Sequence, residues 1–242
     1  MIETIAQLLK NATNAWAFTG AGISIASGIP PFRGDHGLWA KYDMKWLELQ
    51  HFLHHPDKSW AFMRDTFYEY YNHIKPNPAH YALGELEGKG LIKGVITQNI
   101  DNLHQAGGSK NVWEYHGNLK HLVCWQCGRR EPFRQEVLED IPPLCSHCGH
   151  PLKPDIVFFS EQIPAQVVEF VNSEIEKIDV LLVVGTSAEI FPAGLIPDTV
   201  HRNGGIVIDV NPNDNNMQFF SRFYPVREKS EVYLPALAKA FT

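Results

Sequence analysis

The four cysteines of this chain, Cys124, Cys127, Cys145 and Cys148, form two CxxC pairs with seventeen residues between them, and the sequence contains no others. No other feature restricts the fold so tightly. Each pair puts two thiolates on one tight turn, and two such turns supply the tetrahedral sulfur shell that Zn²⁺ prefers. Gly128 and Gly149 follow the pairs directly, where glycine admits the positive φ of a knuckle without a Cβ clash. Two disulfides or four buried thiols are the alternative uses of four cysteines, and a reducing compartment opposes the first and the paired spacing the second. Four sulfurs leave no coordination position for water, so the zinc is expected to be structural and the chemistry to lie elsewhere.

The rest of the composition narrows the class. With 44% hydrophobic and 20% charged residues among 242, the chain can bury a substantial core. It has no apolar run of the length a membrane span needs, and Met1-Ile2-Glu3-Thr4 lacks the basic flank and apolar stretch of a secretion signal. A cytoplasmic enzyme is expected. The formal charge of −6 is spread without long blocks of one sign, which disfavours a nucleic-acid binder working through a broad basic surface. Small-molecule or peptide partners fit better, and a monomer is compatible with everything in the sequence.

Ile5, Leu8 and Leu9 recur at helical spacing, and Ala15-Trp16-Ala17-Phe18 then runs into Thr19-Gly20-Ala21-Gly22, a pattern of helix, buried strand and glycine turn. Asn77-Pro78 predicts a cap and first turn for a helix through Leu83 and Leu86, with a short strand at Gly94–Thr97 after it. Residues 165–176 are expected to be helical. The apolar runs 178–184 and 206–210 suit central parallel strands buried on both faces. This alternation predicts an α/β fold, a doubly wound parallel-sheet Rossmann-like domain whose ligand site lies beyond the carboxyl ends of the strands. Segments 1–34, 81–119 and 154–242 are assigned to it. A helical insert, 35–80, and the zinc-ribbon insert, 120–153, are expected to form a smaller second domain.

The polar strand ends hold the candidate chemistry. Gly20-Ala21-Gly22-Ile23-Ser24 offers backbone N–H groups that suit a pyrophosphate, although Ile25 stands where the dinucleotide fingerprint has its third glycine. Ser27 to Gly34 adds a proline turn, the aromatic Phe32 and the guanidinium of Arg33, which suits phosphate or ribose oxygens. Thr97-Gln98-Asn99-Ile100-Asp101 places amides and a carboxylate at one strand end. His116, followed by Gly117, is a candidate general base near neutral pH. Gly185-Thr186-Ser187 and Asn211 close two further strands. Each of these taken singly also fits a core position, an ion pair or a helix cap.

Taken together, GAGIS-x-x-SGIP-x-FRG at Gly20–Gly34, TQNID at Thr97–Asp101, the HG at His116 and the paired cysteines resemble the sirtuin family of NAD-dependent protein deacylases. Val157-Phe158-Phe159, Gly185-Thr186-Ser187 and Val210-Asn211-Pro212 follow in the family's order, so the likeness covers nearly the whole chain. With little sequence before the first helix or after the last, the chain looks like a compact prokaryotic type. The departures are Ile25, Pro31, Lys153 in place of a usual arginine, and Ser160 in place of a usual glycine.

The resemblance implies NAD as cofactor, with Gly20, Ala21, Gly22, Ile25, Phe32 and Arg33 lining its loop. Gln98 and Asn99 would contact the nicotinamide ribose, and Ile100 and Asp101 would hold the nicotinamide amide. Gly185, Thr186, Ser187 and Asn211 would hold the adenosine half, with Val232 beside the adenine. His116 and Asn99 would be catalytic. Val157, Phe158 and Phe159, opposite Glu189-Ile190-Phe191, would form the edges between which an acyl-lysine peptide adds as a strand. The implied reaction has the acyl oxygen attack the ribose carbon as nicotinamide leaves. His116 then deprotonates a ribose hydroxyl so that it can attack the resulting imidate, and water finally releases free lysine and 2′-O-acyl-ADP-ribose.

Met63 and Thr66 fall where succinyl-preferring relatives carry a Tyr-x-x-Arg pair. An uncharged pocket leaves a buried carboxylate unpaired, so acetyl and neutral longer acyl chains are expected over succinyl. The competing readings are an NAD glycohydrolase or ADP-ribosyltransferase on the same scaffold, a ribbon that serves mainly to bind nucleic acid or protein, and a hydride-transferring dehydrogenase.

Overall fold

Where the apolar runs fall decides the sheet. In the computed structural model, which describes residues 1–31, 37–69 and 73–241, six parallel strands lie in the order β3 (Val112–Glu114), β2 (Val95–Thr97), β1 (Ala15–Thr19), β7 (Val180–Val184), β8 (Ile206–Val210) and β9 (Phe223–Val226). All residues of β1, β2, β7 and β8 are buried. That explains why they are apolar except for Thr19, Thr97 and Asp209 near their carboxyl ends, because a parallel sheet must be covered on both faces. One face carries Ala17, Val95, Leu182 and Ile208 against helices α1 (Ile2–Asn11), α5 (Pro78–Gly88) and α9 (Ser230–Lys239). The other carries Phe18, Ile96, Val183 and Val207 against α7 (Ala165–Ile175) and α8 (Leu195–Arg202).

The chain winds outward from β1 through β2 to β3, and from β7 through β8 to β9 in the opposite direction. The switch point therefore lies between β1 and β7, which opens a crevice at their carboxyl ends. The glycine turn after β1 continues as a 3-10 helix, Ala21–Ser27.

A second core forms from the two inserts. Strands β5 (Arg130–Pro132), β4 (Gly117–Cys124) and β6 (Leu152–Ile156) make an antiparallel sheet in that order. It is covered by α3 (Leu49–His54), α4 (Pro56–Met63) and a π-helical turn, Arg64–Tyr68. α2 (Leu38–Lys41) precedes these, and Leu38 joins the same core. Phe52, Trp60, Met63, Phe67, Leu122 and Phe158 are buried together. Trp60 Nε1–H donates to the Leu152 carbonyl at 2.7 Å, and Tyr68 stacks on Phe133 with centroids 4.2 Å apart. The helical insert and the ribbon therefore fold onto each other.

Candidate active site

The carboxyl ends of β1, β2, β7 and β8 and the rim of the small domain enclose a cavity of about 540 Å³. Its floor is set by two glycines. A Cβ on Gly22 would stand 2.6 Å from the Gly185 carbonyl oxygen, and one on Gly20 would stand 2.7 Å from Thr186 Cβ. The loops after β1 and β7 thus touch backbone to backbone, with Gly22 N–H donating to Gly185 O at 2.8 Å. Only glycine permits this approach.

Behind the glycine loop lies a buried polar chain. Asn77 N–H donates to His80 Nδ1 at 3.2 Å, so the imidazole proton resides on Nε2, which donates to Ser24 Oγ at 3.4 Å. Ser24 in turn donates to Asp101 Oδ2 at 2.7 Å, and Leu103 N–H donates to Asp101 Oδ1 at 2.9 Å. Burial raises the Asp101 carboxyl above its ordinary pKa against these bonds, and burial pushes His80 down to about 4. Asn99 Nδ2 donates to Gly20 O at 3.1 Å and to Ser24 Oγ at 3.3 Å. Asn99 Oδ1 is buried and accepts nothing from the described residues. It lines the cavity, so a ligand bearing hydroxyl or amide donors would complete it.

His116 stands on the same wall. Its Nδ1 is 3.0 Å from the Gln98 carbonyl oxygen. A carbonyl only accepts, so Nδ1 carries the proton and Nε2 keeps a free lone pair. Burial lowers the His116 pKa from 6.5, opposed by that carbonyl bond, which keeps the ring neutral at pH 7. Val157 N–H donates to the His116 carbonyl at 2.9 Å. Phe158 N–H is taken by Glu161 at 2.8 Å and Phe159 N–H by the Leu47 carbonyl at 2.8 Å. The Val157 carbonyl accepts no bond from the described residues.

The structure brings together Gly20, Ala21, Gly22, Ile25, Gln98, Asn99, Ile100, His116, Val157, Phe158, Phe159, Gly185, Thr186, Ser187 and Asn211 on one cavity. Asp101 stands behind this wall, bonded to Ser24. Glu189 is exposed and off the wall, although Ile190 and Phe191 line it. Val232 is 54% exposed in the first turn of α9, next to Lys229, Ser230 and Glu231, which do line the cavity. Met63 and Thr66 are buried in the small-domain core, and Phe67 is the residue of that turn that reaches the cavity. Phe32 and Arg33 lie outside the described residues. Sequence reasoning missed His80, Phe67 and the 229–231 segment. His80 was detectable, since it holds the N3 place after Asn77-Pro78 and completes a reciprocal cap.

The four cysteines are unbridged, and their sulfurs all lie within 4.8 Å of one another. The spacings Cys124–Cys148, Cys127–Cys145 and Cys127–Cys148 are 3.5, 3.7 and 3.6 Å. A zinc tetrahedron with bonds of about 2.3 Å has sulfur–sulfur edges of about 3.8 Å, so this donor set fits zinc with no position left for substrate.

A family model described as the Sir2 family matches residues 20–192. The chain belongs to the Sir2 family. A relative in Pyrococcus abyssi, named NAD-dependent protein deacylase, is 41% identical over 97% of this chain and 96% of its own length. One in Sulfolobus acidocaldarius, named NAD-dependent protein deacetylase, is 41% identical over 96% of this chain and 92% of its own. Among solved structures, a Sir2–p53 peptide–NAD+ complex superposes with a TM-score of 0.90 at 31% identity, covering 100% of this chain and 98% of that one. A Sir2 homologue–NAD complex gives 0.89 at 35% identity, over 98% and 93%. The Sir2 likeness thus extends past the residues of the family model, through β8 to α9.

Proposed function

We propose that this Sir2-family chain is an NAD-dependent protein lysine deacylase that moves the acyl group of acyl-lysine to ADP-ribose, releasing nicotinamide and free lysine. The observation that carries this reading is the pinned tautomer of His116, whose Nδ1–H is held by the Gln98 carbonyl while Nε2 remains the basic nitrogen on the cavity wall. NAD supplies the electrophilic ribose carbon and the hydroxyl that finally carries the acyl group. His116 takes the proton from that hydroxyl so that its oxygen can attack the acyl carbon, and water supplies the atoms that leave lysine as the free amine. Asn99, fixed by Gly20 and Ser24, offers its unfilled Oδ1 to a donor of the dinucleotide. Asp101, held by Ser24 and Leu103, backs the nicotinamide end from behind the wall, while Thr186, Ser187 and Asn211 face the adenosine end with Val232 beside the adenine. Phe32 and Arg33 complete the NAD loop.

The peptide enters along Val157–Phe159, where the Val157 carbonyl is left to accept a peptide N–H, with Glu189–Phe191 as the opposite edge. Segments 35–80 and 120–153 form the small domain with the structural zinc, and the remaining three segments hold the dinucleotide and carry both peptide edges. Among the described residues no helix is long and apolar enough to cross a membrane. A cytoplasmic setting suits four thiols kept reduced for a metal.

Mass spectrometry of an acetyl-lysine peptide reaction tests the assignment. Free lysine peptide, nicotinamide and 2′-O-acetyl-ADP-ribose are expected only when NAD is present. Nicotinamide release at full rate without peptide would make the chain a glycohydrolase, and ADP-ribose left on protein would make it a transferase. Met63 and Thr66 are uncharged and lie behind the wall, and Phe67, the residue of that turn on the cavity, is apolar, so acetyl-lysine is expected to outpace succinyl-lysine on one peptide. A succinyl preference in side-by-side kinetics would overturn that part.

A further inference from the structure

Among the described residues Lys153 is the only buried lysine or arginine, 1% exposed. A buried ammonium is tolerated only when all its donors are met. Here they are, because Nζ lies 3.0 Å from the Pro154 carbonyl, 2.7 Å from the Ile156 carbonyl and 3.1 Å from Glu161 Oε2. Three acceptors match the three N–H bonds of the ammonium. The charge also sits 4.7 Å from the centre of the Phe158 ring, a cation–π contact.

Glu161 faces the same segment from its other end. The oxygen that meets Lys153 also accepts from Phe158 N–H at 2.8 Å, and Glu161 N–H donates to the Phe158 carbonyl at 3.0 Å. Between the two charges runs Ile156–Ser160, all of it on the cavity wall. Ser160 holds φ at +66°, the left-handed region that a residue with a Cβ rarely adopts. A segment in this conformation needs an anchor, and the ion pair ties both ends of it.

We propose that Lys153 and Glu161 are positioning residues for the peptide substrate: their buried ion pair holds the 156–160 segment in the shape that receives the acyl-lysine chain. This rests on the deacylase reading above, with the peptide lying along Val157–Phe159. Neither side chain needs to touch the reacting atoms. The pair acts through the backbone carbonyls of Pro154 and Ile156 and through the amide of Phe158.

The test is steady-state kinetics with an acetyl-lysine peptide and NAD varied in turn, on the zinc-loaded wild type and on Lys153→Met, Glu161→Gln, the double variant and Lys153→Arg. Misplacement of a binding segment by about 1 Å can cost tenfold to a hundredfold. The peptide KM is therefore expected to rise about tenfold or more in Lys153→Met and Glu161→Gln, with the NAD KM within about twofold of wild type. Lys153→Arg keeps the charge and should recover most of the peptide affinity. The double variant leaves no buried charge unpaired and stays folded even where Lys153→Met does not. It should still show the raised peptide KM, with faster hydrogen exchange at the Val157 and Phe158 amides.

Folded, zinc-loaded variants with a wild-type peptide KM would overturn the proposal, as would equal losses in the peptide and NAD constants. A wild type that releases nicotinamide without any peptide would instead overturn the deacylase reading.

Discussion

The six-stranded sheet and the small domain solve the problem of cohesion differently. Between β1 and β8 the sheet is sealed on both faces by aliphatic side chains from helices before and after it in sequence, and each fully buried leucine or isoleucine contributes about 1.5–3 kcal/mol. The small domain has only three short strands and a few helical turns. It adds a buried lysine and four converging thiols. A core too small to hold by burial alone recruits directed interactions, and these fail singly where a distributed hydrophobic core does not.

Metal removal should expose this contrast most sharply. In small metal domains zinc contributes roughly 10 kcal/mol or more of folding free energy. Chelation is expected to abolish amide protection in β4 and β6 and the fixed environment of Trp60, while β1, β7 and β8 keep theirs. Hydrogen exchange followed by mass spectrometry would show it, and loss of protection in both sheets at once would mean that the two cores are one cooperative unit.

A change on the other side of the cleft should separate chemistry from cohesion. His116→Ala removes the proposed base without touching either core, so turnover should fall by about 10²–10⁴ with the zinc content and thermal midpoint near wild type. In the wild type the rate should rise with pH through an apparent pKa below 6.5, since burial lowers that of His116 and the neutral ring is the active form.

Acid should weaken the large domain through His80, held down to about 4 by burial. Below 6.5 the unfolded chain binds a proton that folded His80 refuses, so stability is lost as pH falls from about 6.5 to about 4, by about 3 kcal/mol. His104, pushed well below 6.5 by burial beside it, adds to the same slope. Urea midpoints across this range should fall steeply in the wild type and more gently in His80→Gln. The smallest effect should come from Ser160→Gly, which relieves the positive φ at that position and should stabilise by about 1 kcal/mol, raising the thermal midpoint.

The parts of the fold legible in the sequence were those whose burial is complete. Val180–Val184 and Ile206–Val210 are buried at every position, and the one polar residue among them, Asp209, is paired with Arg227 at 2.7 Å. The edge strands Val112–Glu114 and Phe223–Val226 escaped reading because they are only half buried, and the second contains a proline. β4 alternates imperfectly, since its register with β6 shifts between Gly117 and Leu122, and a shifted register breaks the period of two that marks a strand.

For the site, the strand-end motifs were readable because each stands where a parallel strand stops. The buried chain from His80 through Ser24 to Asp101 was not, since it joins three distant segments through side chains that look ordinary in sequence. Lys153 was visible only as a departure from arginine, and its burial and three carbonyl and carboxylate partners exist only in the folded chain.

One backbone contact has a wider reach than its size suggests. Val157 N–H bonds to the carbonyl of His116, so the ledge offered to a peptide and the residue offered to the sugar are stitched together by a single amide. A mutation that reshapes the ledge for a new target sequence must therefore tug on the base as well. On the proposed roles of Val157 and His116, choice of target and speed of reaction are mechanically linked, and an engineer seeking to alter the first should expect to have to repair the second.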